Sequence, residues 1–151
     1  MTVANEISLK RIIVPLDGSD SSFRAAKFAM KIAKPENAEI IFMHAVVNPP
    51  YMEFRGAGPF IIHYIEEAKR NAEMWYMNVG DMAVKEGVKF STETILDISS
   101  AADSIVNYAE GKSADLIVIG TKGRTGLKRL FLGSVASGVV THAKCSVLVI
   151  R

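Results

Sequence analysis

Asp115-Leu116-Ile117-Val118-Ile119-Gly120-Thr121-Lys122-Gly123-Arg124-Thr125-Gly126 decides how the rest of the chain is read. Leu116 to Ile119 form a short apolar run rich in branched residues, the pattern of a parallel strand buried on both faces. The glycines begin where that strand ends. Beyond a basic hinge comes Leu132-Gly133-Ser134-Val135, and Val135, Val139 and Val140 recur at helical spacing, so a helix is expected there with Ser134 as its N-cap. A strand, a glycine-rich loop and a helix N-terminus together make an anion site, because backbone N–H groups and the helix dipole both favour negative charge. Glycines, lacking Cβ, let the main chain approach phosphate oxygens closely.

The same alternation runs outward in both directions. Ile12-Ile13-Val14-Pro15-Leu16 reads as a first strand ended by Asp17-Gly18-Ser19, and Phe23 to Ala33 as a helix broken by Lys34-Pro35-Glu36-Asn37. Glu39 to Val47 is a second buried strand, stopped by Asn48-Pro49-Pro50; Tyr51 to Pro59 is a loop able to act as a flap. Ile61, Ile65, Ala68, Ala72, Trp75, Val79 and Met82 step by four and three, which marks a long amphipathic helix ending at Gly87. Val88 to Leu96 is a third strand, Ile98 to Ala109 a third helix with Asp97, Ser99 or Ser100 near its cap and Gly111 past its end, and Ser146 to Ile150 the last strand. Strands alternating with helices imply a parallel sheet covered on both faces, with ligands at the carboxyl ends of strands where the strand order reverses. If the first and fourth strands are neighbours, the Asp17 turn and the Gly120 loop face one crevice.

Composition narrows the class. With 151 residues, 49% of them hydrophobic and 23% charged, a single folded domain over residues 1–151 is expected. The net charge of +2 is too small, and the basic residues too interleaved with acids, to argue for nucleic acid. One cysteine, no hydrophobic leader and no apolar run of membrane-spanning length point to a cytoplasmic protein without a membrane partner.

Gly120-x2-Gly123-x9-Gly133-Ser134, placed after a buried strand, resembles the ATP-binding signature of the universal stress protein family. The resemblance extends to Ile13-Val14-Pro15-Leu16-Asp17-Gly18-Ser19, His44-Ala45-Val46, Ala114 to Gly120 and Cys145 to Ile150, in order. It implies a five-stranded parallel sheet in the order 3-2-1-4-5, a Rossmann-like fold of the adenine nucleotide alpha hydrolase kind, with ATP across the first and fourth strands. It further implies that Pro15, Leu16, Asp17 and Val46 approach adenine or ribose, that Ile119 lines the entry, and that Gly120, Gly123, Gly133, Ser134 and Val135 hold ribose and phosphates. The family's fifth strand often mediates homodimers, and the apolar Val147 to Ile150 edge would suit such a partner.

Other roles are weighed beside these. Asp17 could cap the first helix together with Ser19; Gly120 and Gly123 could be ordinary turn glycines. Among Lys122, Arg124, Lys128 and Arg129, one or two would neutralise phosphate charge, the rest being solvated surface. His44 reads as a hydrogen-bonded core histidine, Cys145 as an apolar filler, and Trp75, Met74, Met77 and Met82 as packing, although an exposed share of the methionines would suit a partner surface. No metal-ligand spacing occurs. No base is evident to position water, and there is no Gly-x4-Gly-Lys-Ser/Thr loop. The expected function is therefore an ATP-dependent regulatory or stress-response switch, with hydrolysis slow at most and Mg held mainly by phosphates beside Ser134 or Asp17. The alternative is an adenylating enzyme: Asp17-Gly18-Ser19-Asp20-Ser21-Ser22 resembles the Ser-Gly-Gly-x-Asp-Ser loop of ATP pyrophosphatases but lacks its paired glycines. A phosphoacceptor receiver domain is a third reading.

Overall fold

Two strands with no polar side chains in their interiors occupy the middle of the sheet. In the computed structural model, which describes residues 7–49, 55–97, 99–121 and 131–151, β1 (Arg11–Pro15) lies between β2 (Glu39–Val47) and β4 (Leu116–Gly120). β3 (Phe90–Asp97) and β5 (Ser146–Ile150) form the edges, giving the order β3-β2-β1-β4-β5 with every pairing parallel. The expected strand order is therefore present. Ile12, Ile13 and Val14 of β1 and Ile117 and Val118 of β4 are fully buried, as strands covered on both faces must be.

Four helices supply the cover: α1 (Asp20–Glu36), α2 (Gly58–Glu86), α3 (Ala101–Gly111) and α4 (Ser134–His142). Side chains alternate across a strand, so Ile12, Val14 and Phe42 pack under α1 and α2, against Ala25, Ala29, Ala72 and Val79. Ile13, Ile41, Met43 and Ile117 face the other way, against Ile105 and Ala109 of α3 and Ala136 and Val139 of α4. No described helix is long and apolar enough to cross a membrane.

Several boundaries differ from the sequence reading, each for a local reason. Pro35 does not break α1. It removes a single backbone donor, and the helix closes two residues later at Asn37, left-handed at φ 52°, whose N–H reaches the Ala33 and Lys34 carbonyls. α2 starts at Gly58 rather than Ile61, with Pro59 in its first turn, where a missing N–H costs nothing; the proposed 51–59 flap otherwise lies mostly outside the described residues. At its other end Gly87 caps the helix as expected, but Val88 donates to the Ala83 carbonyl at 3.0 Å, so β3 begins only at Phe90. α3 starts at Ala101, not Ile98: Ser100 is its cap, accepting from the Asp103 N–H, and Gly111 is its last helical residue.

α2 is divided along its length. All of its buried residues, Ala72, Tyr76, Val79, Gly80 and Ala83, lie in the carboxyl-terminal half, while Ile61, Ile65 and Ala68 of the expected stripe are only partly covered. Met74 and Met77 sit on the side away from the sheet and are exposed, 62% and 70%, so they do not pack in the core; Met82 packs against it. Tyr76 fastens α2 to β3, its hydroxyl donating to the Glu93 carbonyl at 2.6 Å. Burial pushes its pKa up to about 12.

Candidate functional site

Where β1 and β4 end side by side, the chain leaves them toward opposite faces and a crevice opens between the two exits. A cavity of about 100 Å³ occupies that crevice. Pro15, Leu16 and Asp17 line it from the β1 side; Ile119, Gly120, Gly133 and Val135 line it from the β4 side. Seven of the residues singled out in the sequence thus meet at one rim, although more than 100 positions separate the two groups along the chain. Ser19, Ser22, His44, Ala45, Thr121 and Ala136 join them.

The β1 exit is organised by side chains. Asp17 Oδ1 accepts from the Ser19 N–H at 2.9 Å and from the Ser19 hydroxyl at 2.5 Å. Ser19 in turn caps α1, its Oγ accepting from the Ser22 N–H at 3.2 Å. Asp17 therefore supports the cap of α1, the first role weighed for it, and is also one of the residues lining the cavity.

The β4 exit is organised by main chain. Thr121 donates to the Ile150 carbonyl at 2.9 Å, and Gly133 donates to the Thr121 carbonyl at 2.8 Å, which brings the two ends of the glycine-rich segment together. Gly123, Arg124, Lys122, Lys128 and Arg129 lie outside the described residues. The Gly133 amide is thereby engaged by protein, and Gly133, extended at φ −58° and ψ 156°, is the N-cap of α4 in place of Ser134. Ser134 is the first helical residue and is not among the residues lining the cavity. The first helical bond of α4 is Ser137 N–H to the Gly133 carbonyl at 2.9 Å, so the first-turn amides from Ser134 to Ala136 have no partner within the helix.

Gly120 has a packing reason to be glycine. A Cβ there would come within 2.6 Å of Ser21 Oγ and 2.7 and 2.8 Å of the Ser21 carbonyl carbon and oxygen. The missing side chain is what lets the first turn of α1 rest on the end of β4. The sequence reading weighs Gly120 as a contact for ribose and phosphates or as an ordinary turn glycine, and neither is this packing role.

Val46 is not among the residues lining the crevice. Its neighbour Ala45 lines both the crevice and a second cavity of about 220 Å³ under α2, and the buried Val46 lines only the second. His44 lines both cavities, and its Nδ1 donates to the Leu16 carbonyl at 2.7 Å, as the reading of a hydrogen-bonded histidine expected. Serine and threonine hydroxyls and a small Ala45 carry no sequence signal of their own; the periodicity of β2 alone could have pointed to Ala45. Among the described residues no three of His, Cys, Asp and Glu converge to hold a metal ion. Cys145 lies just before β5, at the opposite end of the sheet from the crevice, and burial raises its thiol pKa.

The profile of the universal stress protein family matches residues 8–151. Universal stress protein MJ0531 of Methanocaldococcus jannaschii is 42% identical over 142 residues, covering 94% of this chain and 82% of that relative. The structure is similar to universal stress protein UspA from Lactobacillus plantarum, with a TM-score of 0.87, 28% identity, and 95% and 98% of the two chains covered. It is also similar to a universal stress protein solved in complex with cAMP, with a TM-score of 0.69, 28% identity, and 95% and 98% covered. With strand order and sequence in agreement over nearly its full length, the chain belongs to the universal stress protein family.

Proposed function

We propose that this protein binds an adenine nucleotide, ATP among them, in the crevice between β1 and β4 and works as a nucleotide-dependent regulatory switch without fast turnover. The observation that carries the reading is the convergence of the Asp17 turn and the Gly120 and Gly133 ends at one cavity. Its walls suit the parts of such a ligand. Ile105, Ile119 and Val135 offer apolar surface to a purine, while the Asp17 carboxylate, oriented by Ser19, is a fixed acceptor for ribose hydroxyls. Phosphates belong at the amino end of α4, where first-turn N–H groups and the dipole favour negative charge. The family member with bound cAMP supports the ligand class.

Asp17 Oδ1 already accepts two hydrogen bonds, which suits a positioning role better than that of a base activating water. Mg, where ATP carries it, would ride on the phosphates. The β5 edge, with Val147 to Ile150 only half-buried, supports a homodimer formed along that strand.

Equilibrium dialysis of the protein against labelled AMP, ATP and GTP tests the reading. Adenine nucleotides are expected to bind and GTP to bind markedly less; absence of AMP and ATP binding at millimolar concentration would overturn it. Mass analysis of small molecules released on denaturing freshly purified protein provides an independent check, with ATP, ADP or AMP expected.

A further inference from the structure

Between the crevice and the second cavity stands a small assembly built on His44, Trp75 and Gly18. Gly18, the residue after Asp17, is left-handed at φ 80°, and a Cβ on it would lie 2.6 Å from Cε2 and Cζ2 of Trp75. The indole of α2 therefore rests directly on the turn that follows β1. His44 meets the same indole edge-on, with ring centroids 5.0 Å apart at 88°. From its other side, His44 Nδ1 holds the Leu16 carbonyl at 2.7 Å. One chain of contacts thus runs from α2 through Trp75 to Gly18, and through His44 to Leu16, on either side of Asp17.

We infer that His44 and Trp75 are positioning residues: they clamp the Leu16-Asp17-Gly18 turn in the conformation that presents Asp17 to the crevice, and they couple that turn to α2. The hydrogen bond fixes the Leu16 peptide, and with it the direction in which the chain leaves β1. The indole blocks the space into which the Gly18 main chain would otherwise relax. Because both rings touch the turn and α2 carries the indole, a ligand that pulls on Asp17 must displace Trp75 as well. The second cavity, lined by His44, Trp75, Tyr64 and Asn71, leaves room for the two rings to respond.

The coupling half of this inference rests on the nucleotide reading; the clamp does not. The clamp is tested without ligand, through the exchange of the Ser19 amide, which reports the turn by its bond to Asp17. His44→Ala is expected to speed that exchange about fivefold, the worth of one hydrogen bond, while amides in the middle of α1 keep their rates. His44→Asn, whose side-chain N–H can take the place of Nδ1–H, should return the rate to near wild type. An unchanged Ser19 rate in His44→Ala, or an equal acceleration throughout α1, overturns the clamp. For the coupling, Trp75 is the chain's single tryptophan, so its emission reports this site alone. Titration with AMP is expected to change that emission along the isotherm found by dialysis, with the affinity reduced about fivefold in His44→Ala and recovered in His44→Asn. Binding by dialysis with silent emission and unaltered affinity in His44→Ala overturns the coupling and leaves the nucleotide reading standing. No binding by dialysis overturns both the nucleotide reading and the coupling, while the exchange rates still decide the clamp.

Discussion

The two central strands leave the sheet in opposite styles. After β1, the path of the chain is set by side chains: Asp17 holds Ser19, Ser19 holds Ser22, and His44 holds the Leu16 carbonyl. After β4, the described contacts are main chain to main chain, Thr121 to Ile150 and Gly133 to Thr121. The contrast has a chemical meaning. Side-chain acceptors of fixed direction can discriminate between ligands, whereas backbone amides at a helix N-terminus favour any anion. For a nucleotide, selectivity would then reside on the β1 side and much of the affinity on the β4 side.

The largest expected effect tests whether Gly120 belongs to that anion-binding side at all. In Gly120→Ala the new Cβ meets the Ser21 carbonyl at 2.7 and 2.8 Å, atoms that cannot swing aside, and α1 must shift. A loss of about 3 kcal/mol in urea unfolding is expected. A loss below about 1 kcal/mol would mean that α1 yields easily, and Gly120 would return to the ligand-binding group.

Gly123→Val sharpens the same division. The residue lies outside the described segments, and the sequence reading assigns it to phosphate contact. ATP affinity measured by dialysis should fall about tenfold or more, about 1.4 kcal/mol, with the melting temperature nearly unchanged. Equal losses of binding and melting temperature would make Gly123 a packing glycine like Gly120.

On the β1 side, Ser19→Ala removes both the cap of α1 and one of the two donors to Asp17. Unfolding stability should drop by about 1 kcal/mol, and discrimination between AMP and GTP should narrow. Stability loss with intact discrimination would separate the cap from the site.

The last effect is absent at neutral pH and emerges only in alkali. The Tyr76 hydroxyl, raised to about 12 by burial, stays protonated in the folded protein after an ordinary tyrosine near 10 has ionised in the unfolded chain. The unfolded state then holds fewer protons, so the Tyr76 contribution makes stability fall as pH rises from about 10 to 12. Denaturant midpoints measured over that interval should decline less steeply in Tyr76→Phe. Identical slopes would place the alkaline loss elsewhere, Tyr108 being a second tyrosine raised by burial.

The gross architecture was legible because its signals are local. Ile117-Val118-Ile119 has the apolar density of a strand covered twice, and Gly87 ends a helix wherever that helix packs. The errors fall where two local signals compete. Ser134 has the chemistry of a cap, but Gly133 is pulled into the extended cap conformation by its bond to Thr121, a contact across twelve positions. Ile98 begins an apolar pattern, yet Ser100 and Asp103 form the hydrogen-bonded start of α3. At the end of β2 the resemblance named Val46, and the residue lining the crevice beside it is Ala45, one residue of phase away.

By itself the sequence determined the element order, the buried strands and the two segments rich in turn residues, because apolar periodicity and chain-breaking residues act within a few positions. Tertiary structure alone decided that Gly120 is needed by Ser21, that Ala45 rather than Val46 enters the crevice, and that Trp75 rests on Gly18. Each of these depends on atoms brought within van der Waals range from distant parts of the chain, and close packing allows one of them a side chain only where the other leaves space.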